Sequence, residues 1–311
     1  MRVIEDVRST AEVFPNVVLT VGSFDGVHLG HQRILRRLVE HARAIHGTAA
    51  LMTLDPHPRQ FFSPRHAPNI LTGSEKKRAL LAGNGVEVLY VLPFNAEVAN
   101  LDREHFLHEI VLRRCRAVRL IVGHDFAFGK DAAGNHTYLE AMAPRLGFAI
   151  EQVPPLVVEG ERVSSTLIRE YILQGDLDHV ERFLGRKYSI VGEVKRGRGM
   201  GAKLGYPTAN IEPGNYAVPV HGVYIAEALL DGKRYQAAVN IGIAPTIRHE
   251  DIMVEAFLLG FNEDIVGKQL EVIFHRRLRP ELKFNSLPDL IAAIGRDVEA
   301  VRAYFLQESK S

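Results

Sequence analysis

The 311-residue chain sets 38 Lys and Arg against 37 Asp and Glu, a formal net charge of +1, which argues against a general nucleic-acid binder steered by bulk charge. Its 46% hydrophobic and 24% charged residues suit a folded globular protein, and its single cysteine, Cys115, excludes an intramolecular disulfide framework and fits a reducing compartment. The opening MRVIEDVRSTAEVFPN lacks the apolar core of a secretory signal, and no run reaches the roughly eighteen apolar residues of a membrane span; a cytoplasmic location with no membrane and no nucleic-acid partner is expected.

This length favours two domains. From residue 16 to about 126, strand-like and helix-like runs alternate. NVVLTVG reads as a strand ending at Gly22, and HQRILRRLVEHARAIHG as a helix stopped by Gly47. TAALMTLDPHP is a second strand closed by two prolines, followed by SEKKRALLAGNG as a short helix and VEVLYVLPF as a third strand. REHFLHEIVLRRCR then reads as a helix and AVRLIVGHDF as a fourth strand. Such alternation predicts a parallel sheet with helices on its faces. Ligands of these sheets sit at the carboxyl ends of strands, where 22–31, 55–58 and 123–129 all fall. RVSSTLIREYILQGD is a further helix, with Ser164, Ser165 and Thr166 as good capping residues and Gly175 as its stop.

The character changes near Leu184-Gly185-Arg186, which predicts domains of 1–184 and 185–311. YSIVGEVKRG, GVYIAEALLDGKRYQAAVNIG, IMVEAFLLGF and KQLEVIFHRRL are short strand-like runs between turn signals, and Asp231-Gly232 marks a hairpin. They predict an antiparallel sheet or barrel of about six strands. SLPDLIAAIGRDVEAVRAYFLQ closes the chain as an amphipathic helix capped by Ser286. The expected fold class is therefore α/β plus β: a parallel-sheet N-terminal domain, then an antiparallel six-stranded β-barrel with a terminal helix.

Chemistry-bearing residues gather in a few places. VGSFDGVHLGH packs Gly22, Ser23, Phe24, Asp25, Gly26, His28, Gly30 and His31 around a strand-to-helix turn. Unpaired N–H groups and the dipole at a helix N-terminus suit a phosphate, and histidines there can donate to phosphate oxygens as charge builds. Zinc competes, but it wants three or four ligands and no further cluster is in view. Two histidines alone could also be plain surface residues; the glycines and Asp25 favour the phosphate site. Arg169, one turn into the SSTLIR helix, either reaches a phosphate or is a surface arginine. GHDFAFGK sets Asp125, Phe126 and Phe128 at a strand end, suited to holding a ring or to anchoring the loop.

In the second half, RGRGMGAKLGYPTANI carries Gly197, Gly199, Gly201 and Gly205. Pro207 blocks a following helix and Ala202 stands before Lys203, which excludes a dinucleotide fingerprint and a Walker loop. A flap whose backbone N–H groups wrap phosphates remains, beside a plain barrel connection. Thr208 and Asn210 share one side of an extended segment and offer hard oxygen atoms that suit Mg²⁺. Glu255 is the only charge in IMVEAFLLG and shares a strand face with Met253, Phe257 and Leu259. A carboxylate there is costly unless paired or functional, so Glu255 is a candidate general base.

FDGVHLGH resembles the HxGH signature of nucleotidyltransferases. Together with DPHP, DFAFGK and SSTLIR, in that order, it resembles the adenylyltransferase half of bacterial bifunctional riboflavin kinase/FAD synthetases. KLGYPTAN and MVEAFLLGF, supported by GVY, NIGIAPTI and LRPELKF, resemble the riboflavin kinase half of the same family. The resemblance implies a Rossmann-like nucleotidyltransferase domain that moves AMP from ATP onto FMN and releases pyrophosphate. It also implies a β-barrel that phosphorylates riboflavin with Mg²⁺ and ATP, flavins being substrate and product.

By the same resemblance, His28 and His31 contact the ATP phosphates within the loop of Gly22, Ser23, Phe24, Asp25 and Gly30, and Ser165, Thr166 and Arg169 hold phosphates. Pro56, His57, Pro58, Asp125, Phe126 and Phe128 would hold the flavin, with Asp125 on flavin or nucleotide. Gly199, Gly201, Lys203 and Gly205 would wrap the second ATP. Thr208 and Asn210 would hold its Mg²⁺, and Glu255 would take the proton of the ribityl 5′-hydroxyl as it attacks the γ-phosphate. The implied partners are ATP, riboflavin and FMN, the chain being a monomer or weak homo-oligomer. Departures from the family pattern are Ser23 for Asn, His124 and Ala127 for Glu and Arg, Leu167 for Arg, Ala244 for Arg and Gly260 for Asp. They leave open an enzyme with only the kinase alive, or a flavin- or nucleotide-binding regulator without turnover.

Overall fold

The computed structural model describes residues 1–197, 199–245 and 250–308. The chain divides into two compact units, Met1–Pro68 with Ser74–Ser164, and Asn69–Gly73 with Ser165–Ser311.

The first unit runs β1 (Arg2–Ile4), β2 (Val17–Val21), α1 (Leu29–Ala44), β3 (Ala49–Asp55), α2 (Ser74–Gly83), β4 (Val88–Pro93), β5 (Ala117–Gly123), α3 (His136–Leu146) and β6 (Ala149–Val153). Its six strands pair in parallel in the order β1-β4-β3-β2-β5-β6. The four strands read from the sequence are present, and two more flank them. RVI is too short to show a pattern, and AIEQV is only half-buried along most of its length. All five residues of VVLTV are buried, as expected of a parallel strand covered on both faces. Val17, Leu19 and Val21 join one core with Tyr90 and Phe106, while Val18 joins the other with Leu35, Leu38 and Leu51.

From β2 the chain steps through β3 to β4, then returns to place β5 on the other side of β2. The crevice at the carboxyl ends of β2 and β5 is thus the topological switch point where such sheets bind ligands. The helix predicted over 103–116 is a short α-helical turn, Arg103–His105, continued by a π-helical stretch, Phe106–Arg114. There the Cys115 N–H donates to the Ile110 carbonyl at 3.0 Å, and the wider turn puts Phe106, Leu107, Ile110 and Val111 into the core.

The second unit opens with α4 (Ser165–Gln174) and α5 (Leu177–Leu184). Its strands are β7 (Ser189–Lys195), β8 (Ala209–Ile211), β9 (Gly222–Leu230), β10 (Lys233–Pro245), β11 (Glu250–Leu258) and β12 (Gln269–Arg279), followed by α6 (Leu287–Glu308). The strands close into an antiparallel barrel in the order β7-β8-β11-β10-β9-β12. Asp231 and Gly232 join β9 to β10 with φ of 49° and 80°, the two left-handed positions of a type I′ hairpin. Ser286 caps α6, its hydroxyl accepting from the Asp289 N–H at 3.3 Å. Arg279 grips the buried Asp297 of that helix through two nitrogens at 3.0 and 2.7 Å.

Residues 69–73 also pack in this unit. The Ile70 N–H donates to the Asn215 carbonyl at 2.8 Å, the Ala217 N–H donates to the Ile70 carbonyl at 2.9 Å, and Arg169 Nε donates to the Asn69 carbonyl at 2.6 Å. Among the described residues no helix is long and apolar enough to cross a membrane.

Candidate active sites

In the first unit the chain leaves β2 at Gly22, whose N–H donates to the Met52 carbonyl of β3 at 3.0 Å. It then turns through three left-handed residues, Phe24, Gly26 and Val27, with φ of 48°, 84° and 42°. Such φ values are free for glycine but cost a bulky or β-branched residue about 1–3 kcal/mol each. Burial of the Phe24 and Val27 side chains in the α1-side core offsets that strain and pins the loop. α1 begins at Leu29, two residues before the predicted start, because His28 is its N-cap. The His28 Nδ1 accepts from the His31 N–H at 3.2 Å, so the proton of the neutral ring sits on Nε2.

His28 is only 6% exposed. The two imidazoles stack at 3.6 Å between centroids and 16° between planes, and Phe24 lies 4.6 Å from the His31 ring. A Cβ on Gly30 would stand 3.1 Å from the His28 ring, so glycine leaves room for that stack. Burial first, then the nearby His28 and Lys77, pushes His31 well below the ordinary histidine pKa. Its buried Nδ1 has no hydrogen-bond partner among the described residues. Lys77 of α2, which sequence reasoning passed over as one of three consecutive cations, is turned inward and half-buried, its Nζ donating to the Ser23 carbonyl at 3.3 Å.

The neighbouring strand ends supply the other predicted residues. His57 caps the short helix Pro58–Phe62, its Nδ1 accepting from the Arg59 N–H at 3.1 Å, and Pro56 beside it is exposed. Asp125, after β5, accepts from Arg162 at 2.7 Å, with His124 Nδ1 at 3.9 Å from its other oxygen. Arg162 is a second cation that the sequence did not single out; its signal was its place just before the SSTLIR helix. Phe126 stacks on Phe128 at 5.4 Å, but Phe128 is buried against Phe106 and Tyr138 and belongs to the core. Ser165, Thr166 and Arg169 stand at the start of α4 in the second unit.

In the second unit a cleft of about 400 Å³ opens beside β7 and β8. Lys195, Gly197, Gly199, Thr208 and Asn210 line one side, and the loop of Asn262, Glu263 and Asp264 lines the other. That acidic loop after β11 was not foreseen from the sequence. Asn210 is buried and its amide donates to the Thr208 carbonyl at 3.3 Å. A Cβ on Gly197 would come within 2.3 Å of the Asn210 amide nitrogen, so this glycine makes room for that side chain.

The glycine-rich flap coils into a short helix, Met200–Lys203, closed where the Tyr206 N–H donates to the Gly201 carbonyl at 2.8 Å. Lys203 and Gly205 are exposed, and neither they nor Gly201 line the cleft. Arg198 of this flap, and Thr246 and Ile247 of NIGIAPTI, lie outside the described residues. Glu255 is half-buried on β11 with Met253 and Phe257, while Val254, Ala256 and Leu258 fill the barrel. It is outside the cleft lining but pairs in register with Asn210 on one side and Asn240 on the other. Directly opposed residues share a face, so Asn210, Glu255 and Asn240 form one polar row across three strands. Gly260, where the family pattern has Asp, takes φ of 73° in the turn after β11.

Residues 10–167 match the family model described as FAD synthetase, and residues 184–305 match the one described as riboflavin kinase. The chain is 38% identical over 287 residues to the bifunctional riboflavin kinase/FMN adenylyltransferase of Pseudomonas fluorescens, covering 92% of each chain. It belongs to the bifunctional riboflavin kinase/FMN adenylyltransferase family. The Haemophilus influenzae member is 34% identical over 306 residues, covering 98% of this chain and 99% of that one. The Escherichia coli K12 member is 34% identical over 289 residues, covering 93% and 92%.

A solved structure entitled macrolide-efflux protein from Streptococcus pneumoniae matches with a TM-score of 0.86 and 28% identity, over 96% of this chain and 98% of that one. As a family member the chain is a transferase that carries both a riboflavin kinase and an FAD synthetase domain.

Proposed function

We propose that the His28–His31 site adenylylates FMN and that the Thr208–Asn210–Glu255 site phosphorylates riboflavin, both steps running in the cytoplasm on ATP. One observation supports this assignment: His28 and His31 lie in the first compact unit, whereas Thr208, Asn210 and Glu255 lie in the second. The functional division then follows 1–184 and 185–311, although compactness divides the chain between Ser164 and Ser165.

In the kinase site Glu255 accepts the proton of the ribityl 5′-hydroxyl, whose oxygen attacks the γ-phosphorus of ATP while ADP leaves. Asn210 and Asn240, in register on either side, fix the strand position of that carboxylate. Thr208 and Asn210 put hard oxygen atoms on one wall of the cleft, and the space kept by Gly197 lets Asn210 sit there; these donors fit Mg²⁺. The ion would supply charge neutralisation at the ATP phosphates.

In the adenylyltransferase site a phosphate oxygen of FMN attacks the α-phosphorus of ATP and pyrophosphate leaves. The His28 Nε2–H is the ring's remaining donor, and its role in this reading is to donate to phosphate oxygens as charge builds. His31 is kept neutral by burial and props the His28 ring from one face.

A time course with purified protein, riboflavin, ATP and Mg²⁺, with flavins separated by chromatography, tests the assignment. FMN followed by FAD is expected. FMN alone leaves a kinase with a dead first site. No product, with flavin still bound, leaves a regulator.

A further inference from the structure

The KKR run of α2 splits by direction. Arg78 points to Glu5 at the surface, its guanidinium 3.0 Å from the carboxylate. Lys77 instead turns under the loop that follows β2 and donates to the Ser23 carbonyl. At 3.3 Å this is a long bond, and among the described residues it is the only one its ammonium makes, so two of its three N–H donors are uncommitted. No carboxylate stands within ion-pair distance of it among the described residues, although the charges of Asp25 and Asp55 both act on it. Its other near neighbour is the half-buried His31. A half-buried ammonium beside the His31 imidazole, at the carboxyl ends of β2 and β3, is poorly compensated by the protein alone. An anion would complete it.

We infer that Lys77 is a phosphate-binding residue of the first site, its free N–H donors holding the pyrophosphate portion of ATP. This rests on the reading of His28 and His31 as the phosphate clamp. The Ser23 carbonyl orients the ammonium, and the Asp25 and Asp55 charges oppose the loss of its proton that burial favours. When the bond to the α-phosphorus breaks, negative charge moves onto the leaving pyrophosphate, where a fixed ammonium stabilises it more than in the ground state.

The test uses the full chain and inorganic pyrophosphate as the probe. Lys77→Gln is expected to weaken pyrophosphate binding about tenfold by calorimetry and to lower kcat/KM for FMN adenylylation about a hundredfold. Lys77→Arg should recover most of both, and riboflavin phosphorylation, measured on the same preparation, should not change. In the unaltered protein, pyrophosphate should shield Lys77 from an amine-reactive label read by mass spectrometry, a result that does not depend on how a variant folds.

Unchanged pyrophosphate affinity in Lys77→Gln, or labelling of Lys77 that pyrophosphate leaves unaltered, overturns the inference. His28→Ala, assayed in parallel, separates the two levels. If it too leaves adenylylation intact, the histidine-clamp reading has failed; if it abolishes adenylylation while Lys77→Gln does not, only the lysine assignment has.

Discussion

His28 and His31 owe their places to a loop with three left-handed residues and to a helix cap, whereas Asn210 and Glu255 owe theirs to strand register. The first arrangement collects side chains from the ends of several parallel strands and buries them, so their chemistry is set by desolvation and by one another. The second spaces hard oxygen atoms along neighbouring antiparallel strands, where the ladder itself fixes which residues face each other. A transfer site at a switch point is therefore sensitive to what fills the space around its rings. A site built on register is sensitive to what displaces a single side chain.

Four measurements can break or sharpen that contrast. The largest effect is expected from Glu255→Gln, which should lower riboflavin phosphorylation by about 10²–10⁴ while FMN supplied directly is still converted to FAD. Chromatography of the flavins decides it, and retention of most kinase activity would remove the base. His28→Ala should do the converse, lowering adenylylation by about 10²–10³ with FMN formation unchanged; loss of both activities would mean that the sites are not separable. Gly197→Ala adds a Cβ that must push the Asn210 amide aside, because it would lie 2.3 Å from the amide nitrogen. It should raise KM for ATP in the kinase assay about tenfold with melting temperature nearly constant.

The smallest effect concerns stability. His31 has a folded pKa below its ordinary 6.5, so between those two values the unfolded chain binds the extra proton. Stability of the first unit is then fully present above 6.5 and is lost as pH falls through that window. His31→Phe should flatten this dependence in thermal melts. A slope that persists in the variant would assign it elsewhere, for example to His275 of the barrel, whose pKa burial also lowers.

Much of this was legible in the sequence, for physical reasons that differ by element. VVLTV and VLYVLP are buried on both faces and read as uninterrupted apolar runs. The alternation around Glu255 survived into the barrel because one face of β11 is filled and the other is only half-covered. RVI, AIEQV and ANI were not found as strands: two are three residues long and one is an edge strand with little apolar contrast. Lys77 could not be found, since inward and outward lysines look alike in SEKKR. Nor could the polar partners of Glu255, because register is a property of paired strands and not of any one of them.

The segment 69–73 has a consequence for how the two activities can be cut apart. It lies in the middle of the stretch that carries the adenylyltransferase motifs, yet its backbone bonds to Asn215 and Ala217 make it part of the barrel-bearing unit. A fragment beginning at 185 leaves behind a piece of its own packing. A chimera that joins the first half of one relative to the second half of another inherits that piece from the wrong parent. During synthesis, residues 69–73 wait for partners translated long after them. The two compact units of this enzyme are thus interleaved along the chain.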